Sequence, residues 1–319
     1  MSTRSLLDPE VAPVVDLYPA INLNHEAVRQ IREQERQEVV LGDPSAFAVR
    51  REELQIPPLN AGDPAIRCLK YSPEHLAEAV PGYLHMHGGG YLWGLPESLD
   101  MLNLLLASSL QLVVISVDYR LAPEHPVPAG LDDSYAALAW IHENAEELHV
   151  DRERIAIGGE SAGGGMAAAL AQKALVLGDY AICHQHLTYP MLDNRTGSPD
   201  QPGDAVTGEF IWTRERNQFA WNCYLGSAMA EAPHVPARAA DLAGLPSTWL
   251  STADLDLFRE ENIAYAQALM AARVRCELVV YPGTCHAFQA MRDAAVTRRF
   301  VRDHMEALGR ALDSPPAAA

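Results

Sequence analysis

From residue 80 onward, short apolar runs alternate with longer segments whose composition favours helices. The runs at residues 83–87, 112–117 and 154–158 predict strands, and the β-branched run LVVISV is typical of a strand buried on both faces. Further strands are predicted at residues 182–189, 248–252 and 277–281, and helices at residues 134–147, 162–177 and 259–272. Such alternation predicts an α/β fold with a mostly parallel central sheet flanked by helices.

Two segments depart from this pattern. Residues 24–37 begin with Asn24, a good N-cap, and continue with strong helix formers among which apolar positions are sparse. We expect this helix to lie over other elements rather than inside the core. Short strands follow at residues 54–56 and 66–71. Between residues 191 and 245 the alternation lapses, and a gap of that length within a domain is typical of a functional segment such as a lid.

Composition excludes several classes of protein. The chain has 319 residues, of which 48% are hydrophobic, so it can bury a large core and global disorder is excluded. Its 24 Lys and Arg against 42 Asp and Glu give a formal net charge of −18. Because that charge repels nucleic acid and anionic lipid, neither is expected as a partner.

The cysteines and the N-terminal sequence indicate the compartment. The five cysteines are odd in number, widely spaced and free of C-x-x-C pairs, which favours free thiols over a disulfide framework or a metal site. The first residues lack the apolar core of a signal peptide. The most apolar stretch, 101–117, is interrupted by polar residues, which favours a helix followed by a strand over a membrane span. We therefore expect a soluble, cytoplasmic protein with no stable membrane insertion.

A candidate nucleophile lies between a predicted strand and a predicted helix. Residues 159–163 read Gly-Glu-Ser-Ala-Gly and match G-x-S-x-G, with the strand RIAIG before them and an Ala-rich helix after them. A serine on that turn is held in a strained backbone and points outward, while the glycines remove side chains that would clash. The motif alone is weak, but this context makes Ser161 the candidate nucleophile.

A serine nucleophile needs a histidine base and a carboxylate to orient it. The strand-to-helix turn predicts the chain order Ser, Asp or Glu, then His. His286 follows a predicted strand in a loop, where α/β sites are built, and is the best base. The other histidines are weaker: His184 and His186 alternate on a strand, and His234 lies in the irregular segment.

Two carboxylates compete for the orienting role. Asp254 and Asp256 both follow the strand at 248–252, and they are too close in sequence for both to point at the site. Asp193 is a weaker third candidate. These residues by themselves leave the choice between Asp254 and Asp256 open.

A glycine run supplies a candidate oxyanion hole. His87 and the glycines at 88–90 directly follow the strand at 83–87. Without side chains, such a run lets backbone N–H groups point at the oxygen that becomes negative during acyl transfer. A flexible turn would also contain glycines, but it leaves the joint occurrence of this run and the G-x-S-x-G motif unexplained.

With these motifs together, the chain resembles the hormone-sensitive-lipase-like family of α/β-hydrolase esterases, bacterial family IV. The resemblance runs from about residue 65 to 305. It rests on HGGG at 87–90, YRLAPEHPVPA at 119–129, GESAGG at 159–164, Tyr189-Pro190, and the segments 235–246 and 281–286. The family's acid motif, D-P-L-x-D-E, reads DLFREE at 256–261 and so selects Asp256 over Asp254. Two positions depart from the family pattern: Ala287 replaces the usual Gly, and Glu160 replaces the common Asp.

The resemblance implies a fold, an oxyanion hole and a cap. The fold is the α/β-hydrolase fold, with a catalytic domain at 51–319 and a helical cap formed by residues 1–50 and part of 191–240. The oxyanion hole would consist of the N–H groups of Gly88, Gly89 and Ala162. His87 would anchor the glycine loop through side-chain hydrogen bonds. Residues of the 119–129 motif would form a buried scaffold near the site: Tyr119, Arg120 and Glu124.

Several aromatic residues are candidates for the wall of the acyl or alcohol pocket. Aromatic side chains are just as typical of an ordinary core, so each of these has both interpretations. The candidates are Tyr91, Trp93, Phe210, Trp212 and Trp221.

The function predicted from these features is that of a serine carboxylesterase acting on small esters with short- to medium-chain acyl groups. No metal or cofactor enters this chemistry. A deacetylase or amidase acting on one metabolite is the alternative within catalysis, and a non-catalytic ligand sensor is the alternative outside it. Sensors on this scaffold typically lack the triad histidine, whereas His286 is present here. The resemblance also suggests a homodimer that pairs through the sheet edge near 277–281.

Overall fold

Eight strands form one sheet in the order β1-β2-β4-β3-β5-β6-β7-β8. The computed structural model describes residues 2–18, 22–76 and 78–313. The strands are β1 Val49–Ile56, β2 Ile66–Pro73, β3 Val80–Met86, β4 Val113–Val117, β5 Val150–Glu160, β6 His184–Thr188, β7 Ser247–Ala253 and β8 Cys276–Tyr281. β2 runs antiparallel to β1 and β4, and every other neighbouring pair is parallel.

Helices cover both faces of the sheet. The α-helices of the described residues are α1 Val14–Leu17, α2 His25–Glu38, α3 Asp100–Leu110, α4 Ala129–Glu143, α5 Ala162–Leu177, α6 Arg214–Leu225, α7 Arg259–Ala271 and α8 Ala295–Asp313. α3 and α8 pack on one face, and α4, α5 and α7 pack on the other. Every residue of β4 is buried between these layers, as its apolar run predicts. The predicted α/β fold, a mostly parallel sheet flanked by helices, is confirmed.

Besides the short helix α1, α6 and α8 were not predicted from the sequence. α8 buries Phe300, His304, Ala307 and Leu308 at helical spacing, a pattern that is present in the sequence but is weakened by its charged residues. α6 lies within the segment 191–245, where the predicted alternation lapses. The predicted helix at 134–147 begins and ends earlier, at Ala129 and Glu143.

The sheet order places four connections at one edge. β3, β5, β7 and β8 are parallel, so the residues that follow each of them meet at the carboxyl edge of the sheet. Those residues are His87, Ser161, Asp254 with Asp256, and His286. The α2 helix and the segment 191–245 also contribute residues near this edge. None of the helices in the described residues is long and apolar enough to span a membrane.

Candidate active site

Ser161 occupies a strained turn between β5 and α5. Its backbone has φ 55° and ψ −119°, a conformation that a residue with a side chain rarely adopts. Gly159 and Gly163 flank it, and a Cβ atom at either glycine would collide with the carbonyl oxygen of Met86. Glycine is therefore required on both sides for the turn to pack against β3, and the serine hydroxyl is presented at the sheet edge.

The hydroxyl of Ser161 is hydrogen-bonded to His286. The distance from Ser161 Oγ to His286 Nε2 is 3.0 Å, and His286 Nδ1 lies 2.6 Å from Asp256 Oδ2. Because a carboxylate only accepts, His286 Nδ1 carries the proton and Nε2 is left to accept from the serine. Asp256 is 1% exposed, and its other oxygen accepts from the backbone N–H of Phe258 at 3.0 Å.

Asp254 is placed away from this line of hydrogen bonds. Its Oδ1 accepts from the backbone N–H of Thr284 at 3.0 Å, which ties the end of β7 to the loop that carries His286. The weaker candidate Asp193 pairs with Arg195 at 2.6 Å. The geometry thus brings Asp256, and neither of the other two carboxylates, to the histidine.

The glycine run after β3 lies beside the serine. A Cβ atom on Gly88 would be 3.5 Å from the Cβ atom of Ser161. The N–H groups of Gly88 and Gly89 donate to no turn or loop acceptor within the described part of the chain. Ala162 is the first residue of α5, so its N–H lies at the positive end of that helix. These N–H groups are therefore available to an oxyanion.

The side chains of His87 and Tyr119 hold the backbone of the glycine run through hydrogen bonds. His87 Nδ1–H donates to the carbonyl of Gly88 at 2.8 Å, and Tyr119 OH donates to the carbonyl of His87 at 2.7 Å. The two rings stack with centroids 4.3 Å apart. Burial lowers the pKa of His87, which favours the neutral ring that this arrangement needs.

The other members of the predicted scaffold differ in exposure. Arg120 pairs with the buried Asp133 at 2.8 Å. Glu124, in contrast, is 52% exposed and pairs with Arg32 of α2 at 3.0 Å. The expectation that Glu124 is buried is wrong, because its partner lies on a surface helix rather than in the core.

Glu160 does not touch the triad. Its carboxylate oxygens lie 3.1 and 3.2 Å from Nε2 of His85, and Nδ1 of His85 is 2.7 Å from Oδ1 of Asn103. All three side chains are buried. Through these hydrogen bonds, Glu160, the residue that precedes Ser161, is linked to α3 on one face of the sheet.

A cavity of about 820 Å³ opens onto Ser161 and His286. Trp93 and Trp212 line it, with their ring centroids 5.9 Å apart. Further apolar wall comes from α2, the residues on either side of it and the segment after β6: Leu17, Tyr18, Leu23, Ile31, Val39, Val40, Tyr189 and Ile211.

Three of the aromatic candidates lie outside the cavity wall. Tyr91 stacks on Tyr224 at 3.9 Å and donates to the carbonyl of Met191 at 3.1 Å, so its ring points into the core. Trp221 packs against the same two tyrosines. Phe210 belongs to the cluster of buried residues around β8. All three rings are buried, and none of them is among the residues that line the cavity.

Two aromatic contacts of His286 were not predicted from the sequence. The ring of Tyr189 lies 4.6 Å from the imidazole, and that of Phe258 meets it edge-on at 5.4 Å. Burial raises the pKa of Tyr189 well above its usual value, so the phenol stays neutral. The signals in the sequence were the Tyr189-Pro190 dipeptide and the segment 256–261, which contains Phe258. Neither carries information about a contact with a histidine so distant in the chain.

The remaining histidines are packed in the core or lie away from the site. His184 and His186 are buried on β6, as their alternation predicts, and His186 Nε2 lies 3.1 Å from Nδ1 of His304. His234 lines a separate cavity beside α5. The described residues include no group of three or more His, Cys, Asp or Glu side chains arranged to hold a metal ion.

Comparisons with known proteins extend over most of this chain. Residues 83–290 match a family described as having the alpha/beta hydrolase fold. Carboxylesterase NlhH of Mycobacterium tuberculosis is 34% identical over 296 residues, which cover 89% of each chain. Esterase LipI of the same organism is 35% identical over 292 residues, covering 86% of this chain and 85% of LipI.

Solved structures extend the likeness to the whole fold. A bacterial heroin esterase superposes with a TM-score of 0.88 at 36% identity, covering 98% of this chain and 100% of its own. Esterase LipW from Mycobacterium marinum superposes with a TM-score of 0.84 at 30% identity, covering 98% of both chains. The resemblance inferred from the motifs is confirmed: the chain belongs to the hormone-sensitive-lipase-like family of α/β hydrolases and is a carboxylic ester hydrolase.

Proposed function

We propose that this enzyme hydrolyses short- to medium-chain acyl esters through a triad of Ser161, His286 and Asp256 and an acyl-enzyme intermediate. The observation that carries the proposal is the unbroken line of hydrogen bonds from Asp256 to His286 to Ser161, at 2.6 and 3.0 Å. The line ends at the wall of the cavity, where an ester carbonyl can approach the serine hydroxyl.

In the first half of the reaction, His286 Nε2 takes the hydroxyl proton while Ser161 Oγ attacks the ester carbonyl. Asp256 accepts the Nδ1–H bond throughout, which keeps the correct tautomer and stabilises the imidazolium. The N–H groups of Gly88, Gly89 and Ala162 hold the oxyanion of the tetrahedral intermediate. His286 then gives the proton to the departing alkoxide, and the acyl group remains on Ser161.

In the second half, water takes the place of the alcohol. His286 accepts a proton from that water, the resulting hydroxide attacks the acyl carbonyl, and a second oxyanion forms in the same hole. Collapse of this intermediate releases the carboxylic acid and returns the proton to Ser161 Oγ. The protein's own residues perform each of these proton transfers.

The limit on acyl length is supported by what surrounds the cavity. We assign the cap to residues 1–50 and part of 191–240, over a catalytic domain at 51–319. Leu23 and Ile31 on one side and Ile211 and Trp212 on the other line the cavity. α2, a helix of this cap, is 14 residues long and largely polar, unlike a long apolar lid, which favours small, water-soluble esters over emulsified long-chain substrates.

Compartment and assembly complete the proposal. All five cysteines are free thiols, which fits a reducing cytoplasm. β8 is an edge strand of the sheet, and we propose that two copies pair along it to form a homodimer. Light scattering of the purified protein distinguishes the dimer from the monomer.

The test of the reaction is hydrolysis of p-nitrophenyl acetate, butyrate, octanoate and palmitate by the wild type and by Ser161→Ala. We expect the wild type to favour the shorter esters and the variant to lose roughly 10⁶-fold in kcat. Ser134→Ala is the matched control, because that buried hydroxyl only donates to the Gly130 carbonyl within α4. Turnover by Ser161→Ala at the wild-type rate would overturn the proposed nucleophile.

A further inference from the structure

The face of α2 that packs on the protein is attached to the loop that follows the glycine run. Val28, Ile31, Arg32 and Glu35 lie on the side of α2 that faces the protein, while Glu33, Arg36 and Gln37 are exposed. Within that inner face, Arg32 and Glu35 are the charged positions. Both use their side chains to bind the segment between β3 and α3, more than fifty residues along the chain.

Glu35 accepts two hydrogen bonds from this segment. Its Oε2 accepts from the backbone N–H of Gly94 at 2.9 Å, and its Oε1 accepts from the hydroxyl of Ser98 at 2.7 Å. Bonds from neutral donors to a carboxylate are stronger than bonds between two neutral groups. Glu35 therefore fixes both ends of the stretch from Gly94 to Ser98 relative to α2.

Arg32 holds the same segment one turn earlier on α2. Its Nε donates to the carbonyl of Leu92 at 2.6 Å, and its Nη2 donates to the carbonyl of Ala122 at 2.6 Å. The backbone N–H of Ala122 in turn donates to the carbonyl of Tyr91 at 3.0 Å. Arg32 thus joins two loops that lie side by side at the carboxyl edge of the sheet.

The positions of residues 92–94 determine how the oxyanion glycines are oriented. The N–H groups of Leu92 and Trp93 donate to the carbonyl of Gly89 at 3.0 and 3.1 Å. Gly94, with φ +111°, packs so closely on the His87 ring and the Gly88 carbonyl that it has no room for a Cβ atom. A shift of Gly94 would therefore be transmitted directly to the peptide groups of Gly88 and Gly89.

We propose that Glu35, together with Arg32, is a positioning residue for the oxyanion hole. The α2 helix then does more than cover the cavity, since it also sets the direction of the N–H groups that meet the developing oxyanion. This inference rests on the proposed function, because it takes Gly88 and Gly89 as the oxyanion donors. A run of glycines has large conformational freedom of its own, so an external anchor is needed to keep the donors aligned.

The test compares three variants on one helix. Glu35→Ala removes both acceptors, Glu35→Gln keeps a carbonyl oxygen that can still accept from Gly94, and Glu33→Ala is the control. Glu33 has a 63% exposed side chain, and its partners, Gln37 at 2.6 Å and Arg36 at 3.9 Å, both lie on α2 itself. We expect kcat for p-nitrophenyl butyrate to fall between about 10- and 100-fold in Glu35→Ala. KM should change little, Glu35→Gln should recover most of the loss, and Glu33→Ala should match the wild type.

A second readout separates positioning from a structural role. A trifluoromethyl ketone forms a hemiketal with Ser161 whose oxyanion occupies the hole, so its inhibition constant reports the donors directly. In Glu35→Ala we expect this constant to rise by the same factor by which kcat/KM falls. A rise in KM with kcat unchanged would instead mean that Glu35 contacts the substrate, which would overturn the proposal. An unchanged kcat together with an unchanged inhibition constant in Glu35→Ala would also overturn the proposal.

A milder variant keeps the inference testable if Glu35→Ala does not fold. Ser98 is exposed, and Ser98→Ala removes one of the two Glu35 contacts without leaving a buried charge unpaired. We expect a severalfold loss of kcat in this variant with KM unchanged, and wild-type kcat there would contradict the proposal. Ser161→Ala is measured alongside: turnover in that variant rejects the proposed function, whereas failure of the Glu35 prediction leaves serine dependence intact.

Discussion

The indole ring of Trp212 lies directly against Gly90, the last glycine of the HGGG run, so that a Cβ atom on Gly90 would overlap the ring. The ring is held in place, because its Nε1–H donates to Asn217 Oδ1 at 3.1 Å. Its centroid is 6.1 Å from that of His286. An aromatic side chain held by a hydrogen bond therefore bounds the cavity close to both the glycine run at 88–90 and His286.

Replacing Trp212 by Leu should extend the range of acyl chains. The smaller side chain would open space for about two further methylene groups, each contributing ~0.8 kcal/mol when buried. The ratio of kcat/KM for p-nitrophenyl octanoate to that for the acetate should therefore rise about tenfold. Steady-state kinetics on both esters measure this ratio.

Trp221→Leu is the control for that prediction. Trp221 is a buried tryptophan that lies outside the cavity wall and packs on Tyr91. Its replacement should lower the free energy of unfolding by a few kcal/mol while leaving the ratio between the two esters unchanged. If the ratio shifted equally in Trp212→Leu and Trp221→Leu, a general loss of packing, and not the side chain of Trp212, would set the limit on acyl-chain length.

Asp256→Asn and Asp254→Asn should differ sharply in activity. Asp256 accepts from His286 Nδ1, and an amide there no longer favours the productive tautomer, so we expect kcat to fall by roughly 10³–10⁴-fold. In Asp254→Asn the amide oxygen can still accept from Thr284, so kcat should stay close to the wild-type value. A larger loss in Asp254→Asn than in Asp256→Asn would contradict the geometry.

Acid should destabilise the folded enzyme through its buried histidines. Burial lowers the pKa of His184 to about 3 and that of His304 to about 4. Since the unfolded chain takes up these protons at about pH 6.5, the unfolded state binds more protons below that pH, and the free energy of unfolding falls. The contribution of these two histidines to the free energy of unfolding is fully present above pH 6.5 and is lost as the pH falls towards their folded-state pKa values.

Each of these histidines should cost about 2 kcal/mol between pH 7.5 and pH 5. His304 also contacts His186 and lies near Glu160 and His85, so the four groups share one buried region. Urea unfolding of the wild type and of His304→Gln at both pH values measures the difference. The variant should lose about 2 kcal/mol less than the wild type, and an identical loss in both proteins would count against this origin of the acid sensitivity.

Cys285 should resist thiol reagents although it is adjacent to His286. Its side chain is 0% exposed, and burial raises its pKa to about 12, so almost no thiolate forms at pH 8. Iodoacetamide should leave the esterase rate unchanged while mass spectrometry detects label on the half-buried Cys223. If iodoacetamide inactivated the wild type but not Cys285→Ala, the Cys285 thiol would be reactive and the prediction would be wrong.

Motifs governed by local backbone geometry were predictable from the sequence. The strained turn at Ser161 requires glycine on both sides, and a donor loop without side chains requires a run such as Gly88–Gly90, so both leave a readable pattern. The buried strand β4 is equally readable, since it needs apolar residues on both faces. These features leave a pattern among residues that are neighbours in the chain, even where the pattern reflects packing on another strand, as at Gly159 and Gly163.

Contacts between distant residues were decided by the tertiary structure. Asp254 and Asp256 follow the same strand, and their positions alone left the choice open. The family resemblance favoured Asp256, and the path of the loop after β8 is what brings Asp256 to His286. In the same way, a tryptophan at position 212 forms the cavity wall while Trp221 on the next helix packs in the core. The physical reason is that each such choice depends on how separate elements pack, and no pattern along a single element records which partner lies across from it.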